Sequence, residues 1–166
     1  MRVMIVDDAA FMRMLIRKCL TEAGHEVVAE AYEYFTAIEE FKKLQCFGKT
    51  PDVITMDITL PGMRSGIDIT RDIRALSKEV RIVMTSAMGT QYMVIDAMKA
   101  GANDFVVKPF KPDQLVAAVE GRDKNEPKEP EKEKAPDWEY VPEEETADEA
   151  GHECVKKDGD SEAPQE

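Results

Sequence analysis

The chain has 166 residues, with 34 acidic and 22 basic side chains and a net charge of -12. Residues 1–120 carry 17 acids and 15 bases, whereas 121–166 carry 17 acids and 7 bases, so nearly all the excess charge lies in the last segment. This balance excludes a nucleic-acid binder, which needs a basic face to neutralise phosphates, and no apolar stretch reaches the roughly 18 residues that span a bilayer.

Val3-Met4-Ile5-Val6 is a short continuous apolar run, as expected of a strand covered on both faces. Asp8 follows as a cap for a helix running to about Ala23. Phe11, Met12, Met14, Leu15, Ile16, Cys19 and Leu20 give that helix a wide apolar stripe, and Gly24 stops it. Its methionines read as core packing, because Met fills cores readily. Val27-Val28-Ala29 is a second strand, and Tyr34 to Leu44 a second helix with Ile38, Phe41 and Leu44 inward. Gln45 to Pro51 is a loop, and Asp52 to Met56 a third strand with Asp57 at its tip. After the turn Leu60-Pro61-Gly62, Ser65 and Asp68 have the spacing of a capping box that opens a third helix, with Ile69, Ile73 and Leu76 inward. Arg81 to Thr85 is the fourth strand, followed by Ser86. The fourth helix runs from about Thr90 to Ala100 and stops at Gly101. Asp104 to Val107 is the fifth strand, followed by Lys108, and Pro112 opens a fifth helix that is apolar at Leu115, Val116 and Val119.

Such β-α alternation with short connections implies an α/β fold, a doubly wound parallel sheet with helices on both faces. The carboxyl ends of its strands share one rim, where such sheets bind ligands. Asp7, Asp8, Asp57, Ser86 and Lys108 all stand at strand ends and can converge there, given the right strand order. Residues 121–166 differ. Glu126-Pro127-Lys128-Glu129-Pro130 and Val141-Pro142-Glu143-Glu144-Glu145 are charged, Pro-punctuated and short of aliphatics, so this acidic tail is expected to be disordered. Its aromatic island, Trp138-Glu139-Tyr140, reads as incidental, with a short partner-binding motif as the sharper alternative. No basic region precedes a long apolar run at the N-terminus, so no secretory signal is expected. Cys19, Cys46 and Cys154 are far apart, lack metal-ligand spacing and fit reduced thiols in a cytosol.

Each rim residue alone has a bland explanation. Asp7-Asp8 can cap a helix, Asp57 can be a turn residue, Ser86 can cap the fourth helix, and Lys108 can be a rim charge. Together they make a chemical unit. Three carboxylates at one rim repel one another, and a divalent cation resolves this. Mg2+ takes hard oxygen ligands and keeps room for a phosphate oxygen. Lys108 adds a point charge for another phosphoryl oxygen, and the Ser86 hydroxyl can donate to a third. A carboxylate in that setting can accept a phosphoryl group as an acyl phosphate.

The stretches Val3-Met4-Ile5-Val6-Asp7-Asp8, Pro51 to Asp57 with Leu60-Pro61-Gly62-Met63, Met84-Thr85-Ser86-Ala87 and Gly101 to Phe110 occur in order over residues 1 to about 120. In this the chain resembles a response-regulator receiver domain. Phe11-Met12-Arg13 and Ser86-Ala87-Met88-Gly89 make it most similar to the CheY-type chemotaxis regulators. The resemblance implies a receiver domain over 1–120 with the tail at 121–166, and a flavodoxin-like fold of strand order 2-1-3-4-5. It implies that a sensor histidine kinase phosphorylates Asp57, and that Asp8 and Asp57 ligate Mg2+, with Asp7 acting mostly through water and Thr59 through its backbone carbonyl. Lys108 would bind the phosphoryl group, and Lys108-Pro109 would be a cis peptide. Ser86 would move toward the phosphate while Phe105 turns inward, reshaping the face made by the fourth helix, fifth strand and fifth helix. That face would meet the flagellar motor switch, and a phosphatase would reset the signal. Such a protein is a cytoplasmic signalling element rather than an enzyme.

The chain departs from the family in a longer link at Gln45 to Thr50, an extra residue in Met63-Arg64-Ser65-Gly66, and Phe105 where many chemotaxis members carry Tyr. Three rival readings remain. One is a stand-alone receiver in a non-chemotaxis phosphorelay. A Mg2+-dependent aspartyl-phosphate phosphohydrolase wants an acid where this chain has Thr59. A flavin or nucleotide module wants a Gly- or Ser/Thr-rich first loop, not Val6-Asp7-Asp8-Ala9.

Overall fold

Strands and helices alternate five times in the computed structural model, which describes residues 1–121. In chain order they are β1 (Arg2–Val6), α1 (Ala10–Glu22), β2 (Glu26–Ala31), α2 (Tyr34–Cys46), β3 (Val53–Asp57), α3 (Gly66–Leu76), β4 (Arg81–Ser86), α4 (Gln91–Ala100), β5 (Asp104–Val107) and α5 (Pro112–Glu120). The five strands form one sheet in the order β2-β1-β3-β4-β5, and every pairing is parallel. The flavodoxin-like topology implied by the resemblance is therefore the one found. The expectations for the acidic segment, Trp138-Glu139-Tyr140 and Cys154 included, lie outside the described residues.

Strand alternation divides the core into two layers. Met4, Val6, Ile54, Met56, Ile82 and Met84 point to the side covered by α2, α3 and α4, against Ala37, Phe41, Ile69, Ile73 and Ala97. Val3, Ile5, Val53, Val83 and Val106 point to the other side, against Ile16, Cys19, Leu20, Leu115 and Val119 of α1 and α5. Both faces of the sheet are covered, which is why its strands are continuous apolar runs rather than alternating ones.

Several local expectations change. Asp8 does not cap α1: the N-cap is Ala9, with no side-chain cap bond, and it is Asp7 Oδ1 that accepts from the Ala9 N–H at 3.0 Å. The apolar stripe of α1 is also narrower than its composition suggests. Only Ile16, Cys19 and Leu20 are buried, while Phe11 and Met14 are 67% and 59% exposed. Apolar residues wrap more of α1 than the single face that meets the sheet. The methionines of α1 are therefore not core, Met14 being exposed and Met12 half-buried; the fully buried methionines are Met4, Met56 and Met84 of the strands. The second helix continues to Cys46, because Gln45 lies inside it and the left-handed stop is Gly48 at φ 66°. Leu76 ends α3 and is 39% exposed, beyond the edge of the core. The Ser65–Asp68 capping box, the α4 stop at Gly101 and Pro112 at the start of α5 are all present as read.

Candidate functional site

The topology delivers four rim residues to one point. β1 and β3 are neighbours, with Val6 opposite Met56, so Asp7 and Asp57 lie side by side just past that pair. β4 lies next, with Asp57 opposite Thr85, and β5 after it, with Ser86 opposite Val107. Lys108 leaves β5 and reaches back across the rim. Its Nζ donates to Asp7 Oδ2 at 2.7 Å and to Asp57 Oδ2 at 2.6 Å. Carboxylate oxygens of Asp7, Asp8 and Asp57 all lie within 4.8 Å of one another. Asp7 and Asp57 are buried, and Asp8 is exposed at the mouth.

The remaining acceptor sites are partly filled. Asp7 Oδ1 takes the Ala9 N–H, and Asp57 Oδ1 takes the Thr59 N–H at 3.1 Å. Burial pushes the Asp57 carboxyl above its ordinary range, against the opposing pull of Lys108. At Lys108 burial favours the neutral amine, yet the hydrogen bonds to Asp57 and Asp7 outweigh it and raise the pKa. One ammonium thus faces three carboxylates, and the desolvation of Asp57 is only partly offset. A hard divalent cation fits this set: three close carboxylates, one of them facing solvent, supply oxygen ligands and leave positions for water or a phosphoryl oxygen.

Ser86 is 1% exposed, and its Oγ accepts from the Met88 N–H at 3.1 Å while its carbonyl accepts from the Lys108 N–H at 2.7 Å. The hydroxyl therefore caps the turn after β4 rather than helix α4. Phe105 is 9% exposed and packs in the layer beneath α4, opposite Met84. Lys108-Pro109 is cis, as the resemblance implied. Thr59 bonds Asp57 through its N–H.

Two contributors escaped the sequence reading. Arg13 Nη1 donates to the carbonyls of Asp7 and Asp8, a contact that helical periodicity does not signal. Gly66 packs so closely under Asp57 that a Cβ there would lie 1.9 Å from the Asp57 carbonyl oxygen. Its place inside a capping box was legible, but the strand it touches was not.

The profile described as "Response regulator receiver domain" matches residues 3–120. The chain is similar to the chemotaxis protein CheY of Thermotoga maritima, 50% identical over 118 residues that span 71% of this chain and 93% of the relative. CheY of Bacillus subtilis matches at the same 50% identity over 118 residues. Among solved structures, the CheX-CheY-BeF3-Mg2+ complex from Borrelia burgdorferi aligns with a TM-score of 0.67 and 29% identity, covering 72% of this chain and 87% of that one. The profile spans the same residues that build the sheet and its acidic rim, so this chain belongs to the response-regulator receiver domains.

Proposed function

We propose that this protein is a phospho-acceptor response regulator of a two-component system, phosphorylated on Asp57 by a histidine kinase and signalling by protein contact in chemotaxis. The observation that carries the reading is the Lys108 ammonium, held 2.7 and 2.6 Å from Asp7 and Asp57 beside the three-carboxylate cluster. Residues 1–120 would be the working domain, with 121–166 an appended acidic segment.

In this reading Asp7, Asp8 and Asp57, with the Thr59 carbonyl, would hold Mg2+. When bound, the ion supplies positive charge for the transferring group and a template for its oxygens. A carboxylate oxygen of Asp57 attacks the phosphorus of a phosphohistidine. The P–N bond breaks as the new O–P bond forms an acyl phosphate, and the imidazole nitrogen takes up a proton. Little covalent work falls to the protein, so positioning and charge dominate. Lys108 exchanges its bond to Asp57 for one to a phosphoryl oxygen. Ser86 releases the Met88 N–H and donates to another phosphoryl oxygen, while Phe105, already buried beneath α4, holds the inward position that the relay requires. The phosphoryl group biases the two states only as far as these contacts differ between them.

The output would be the face of α4, β5 and α5, where Tyr92, Met98 and Val107 are 83%, 45% and 47% exposed. Its partners would be the flagellar motor switch and, for resetting, a phosphatase; a solved relative is named in complex with CheX, BeF3 and Mg2+, which supports both a cation and a protein partner here. No described helix is long and apolar enough to cross a membrane. The chain would accept and lose a phosphoryl group without turning over a substrate. A small phosphodonor with Mg2+ is expected to retard the parent protein on a phosphate-affinity gel and to leave Asp57→Asn unshifted. Equal retardation of both would refute the assignment.

A further inference from the structure

We propose that Arg13 is a positioning residue for the acid pair, fixing the direction of the Asp8 side chain toward the cation. The inference rests on the reading that those carboxylates and Asp57 hold Mg2+.

Arg13 lies one turn into α1, on the side of the helix that faces the β1–α1 loop. Its Nη1 donates to the Asp7 carbonyl at 2.9 Å and the Asp8 carbonyl at 3.1 Å. Its Nε donates to Glu30 Oε2 at 3.2 Å, and Arg17 Nε binds the other oxygen of Glu30 at 2.6 Å. Glu30 stands on β2 opposite Ile5 of β1, so the guanidinium ties the loop to the sheet beside it. The Arg13 and Glu30 side chains are 18% and 27% exposed, so the link is shielded from most of the solvent.

The consequence differs for the two acids. Asp7 has other restraints: its N–H bonds the Ala31 carbonyl at 3.1 Å, and its carboxylate is held by Ala9 and Lys108. Among the described residues the Asp8 carboxylate accepts no hydrogen bond, so its aim depends on its own peptide planes. Two carbonyls clamped by one nitrogen fix those planes, and with them the Cα–Cβ bond of Asp8. A planar fork reaches both carbonyls and a carboxylate in a single geometry, which a lysine ammonium cannot reproduce. Glu30 offsets only part of the Arg13 charge, because it also pairs with Arg17, so what the clamp supplies is orientation rather than charge. Such outer contacts to metal ligands commonly govern affinity by 10–100-fold.

The test is Mg2+ binding by calorimetry on the full-length, unphosphorylated protein, with Arg13→Ala, Arg13→Lys, Asp8→Asn and the Arg13→Ala/Asp8→Asn double variant. Arg13→Ala is expected to raise Kd about tenfold or more, and Arg13→Lys to restore only part of the loss. In the Asp8→Asn background the Arg13→Ala effect should fall below about threefold, because the two residues act through one route and their effects do not add. Folded Arg13→Ala with the parental Kd overturns the inference, as does an equal loss in both backgrounds, which marks general loosening. If Arg13→Ala does not fold, a parental Kd in Arg13→Lys overturns it. A parent protein that binds no Mg2+ overturns the metal reading and this inference together, whereas the other outcomes sink the role of Arg13 alone.

Discussion

Lys108 decides the charge state of the rim. It is 14% exposed and serves two carboxylates that are themselves buried, so it cannot be removed without leaving those acids uncompensated. Lys108→Met keeps most of the apolar stem and deletes the charge. In metal-free buffer this variant should lose about 3 kcal/mol of stability in urea unfolding, the scale for breaking one side of a buried pair. Added Mg2+ should recover much of that loss, because a cation bound only by the folded state stabilises it by mass action. A penalty unchanged by Mg2+ would separate the lysine from the cation site. The rim residues were legible in the sequence because each follows an apolar strand run, and strand ends in a parallel sheet share one side. Arg13 was not, because its partners are backbone carbonyls five and six residues upstream, and whether a helical side chain turns back to them depends on how α1 meets the loop.

Between β3 and α3 the site is built by an element boundary. Ser65 and Asp68 cap α3 reciprocally: Asp68 Oδ2 accepts the Ser65 N–H at 3.0 Å, and Ser65 Oγ accepts the Asp68 N–H at 3.4 Å. The next residue, Gly66, brings the start of the helix against the backbone of Asp57. Two substitutions therefore rank opposite to intrinsic propensity. Ser65→Ala should cost about 1 kcal/mol, as the loss of a cap does. Alanine ordinarily favours a helix over glycine by roughly 1 kcal/mol, yet Gly66→Ala should be the more damaging change, because its Cβ would overlap the Asp57 carbonyl. Thermal unfolding ranks the two, and Gly66→Ala should also slow phosphoryl uptake, since relief of the overlap requires Asp57 to move. A Gly66→Ala protein as stable and as reactive as Ser65→Ala would show that the close approach is unimportant. Element types and order were readable throughout, from apolar runs, caps and glycine stops. What misled was local: the seven apolar residues of α1 counted Phe11 and Met14 as core, and the loop composition at Gln45 hid one more half-turn of α2 before Gly48. Composition records how much of a helix is apolar, not how wide a face its neighbours leave to be covered.

At the scale of the molecule the question is where the working unit ends. The profile match closes at residue 120 and the charge balance changes just after it, and side-chain contacts carry the folded unit through the end of α5. The last turn of α5 is part of the core: Val119 is fully buried and Ala118 nearly so, in the layer shared with α1. The Ala118 carbonyl accepts from Arg81 Nε at 2.9 Å, which joins α5 to β4. Glu120 Oε1 lies 3.4 Å from His25 Nε2, an ion-pair distance to the turn before β2 when that imidazole is protonated. Gly121 then closes the helix at φ 69°, its N–H bonding the carbonyl of Ala118 at 3.3 Å. A chain cut after Gly121 keeps every described strand and helix and every rim residue, so it should unfold at a midpoint close to that of the full chain and take up phosphoryl groups with Mg2+ as the parent does. A chain cut after Ala117 loses Val119, the Arg81 bond and the helix stop, and burial of Val119 alone contributes about 2 kcal/mol. The shorter chain should therefore melt well below the longer one while keeping the same set of rim residues. Equal midpoints for the two would show that α5 contributes nothing past its first turns, and loss of phosphorylation in the chain ending at Gly121 would place part of the working unit in the acidic segment.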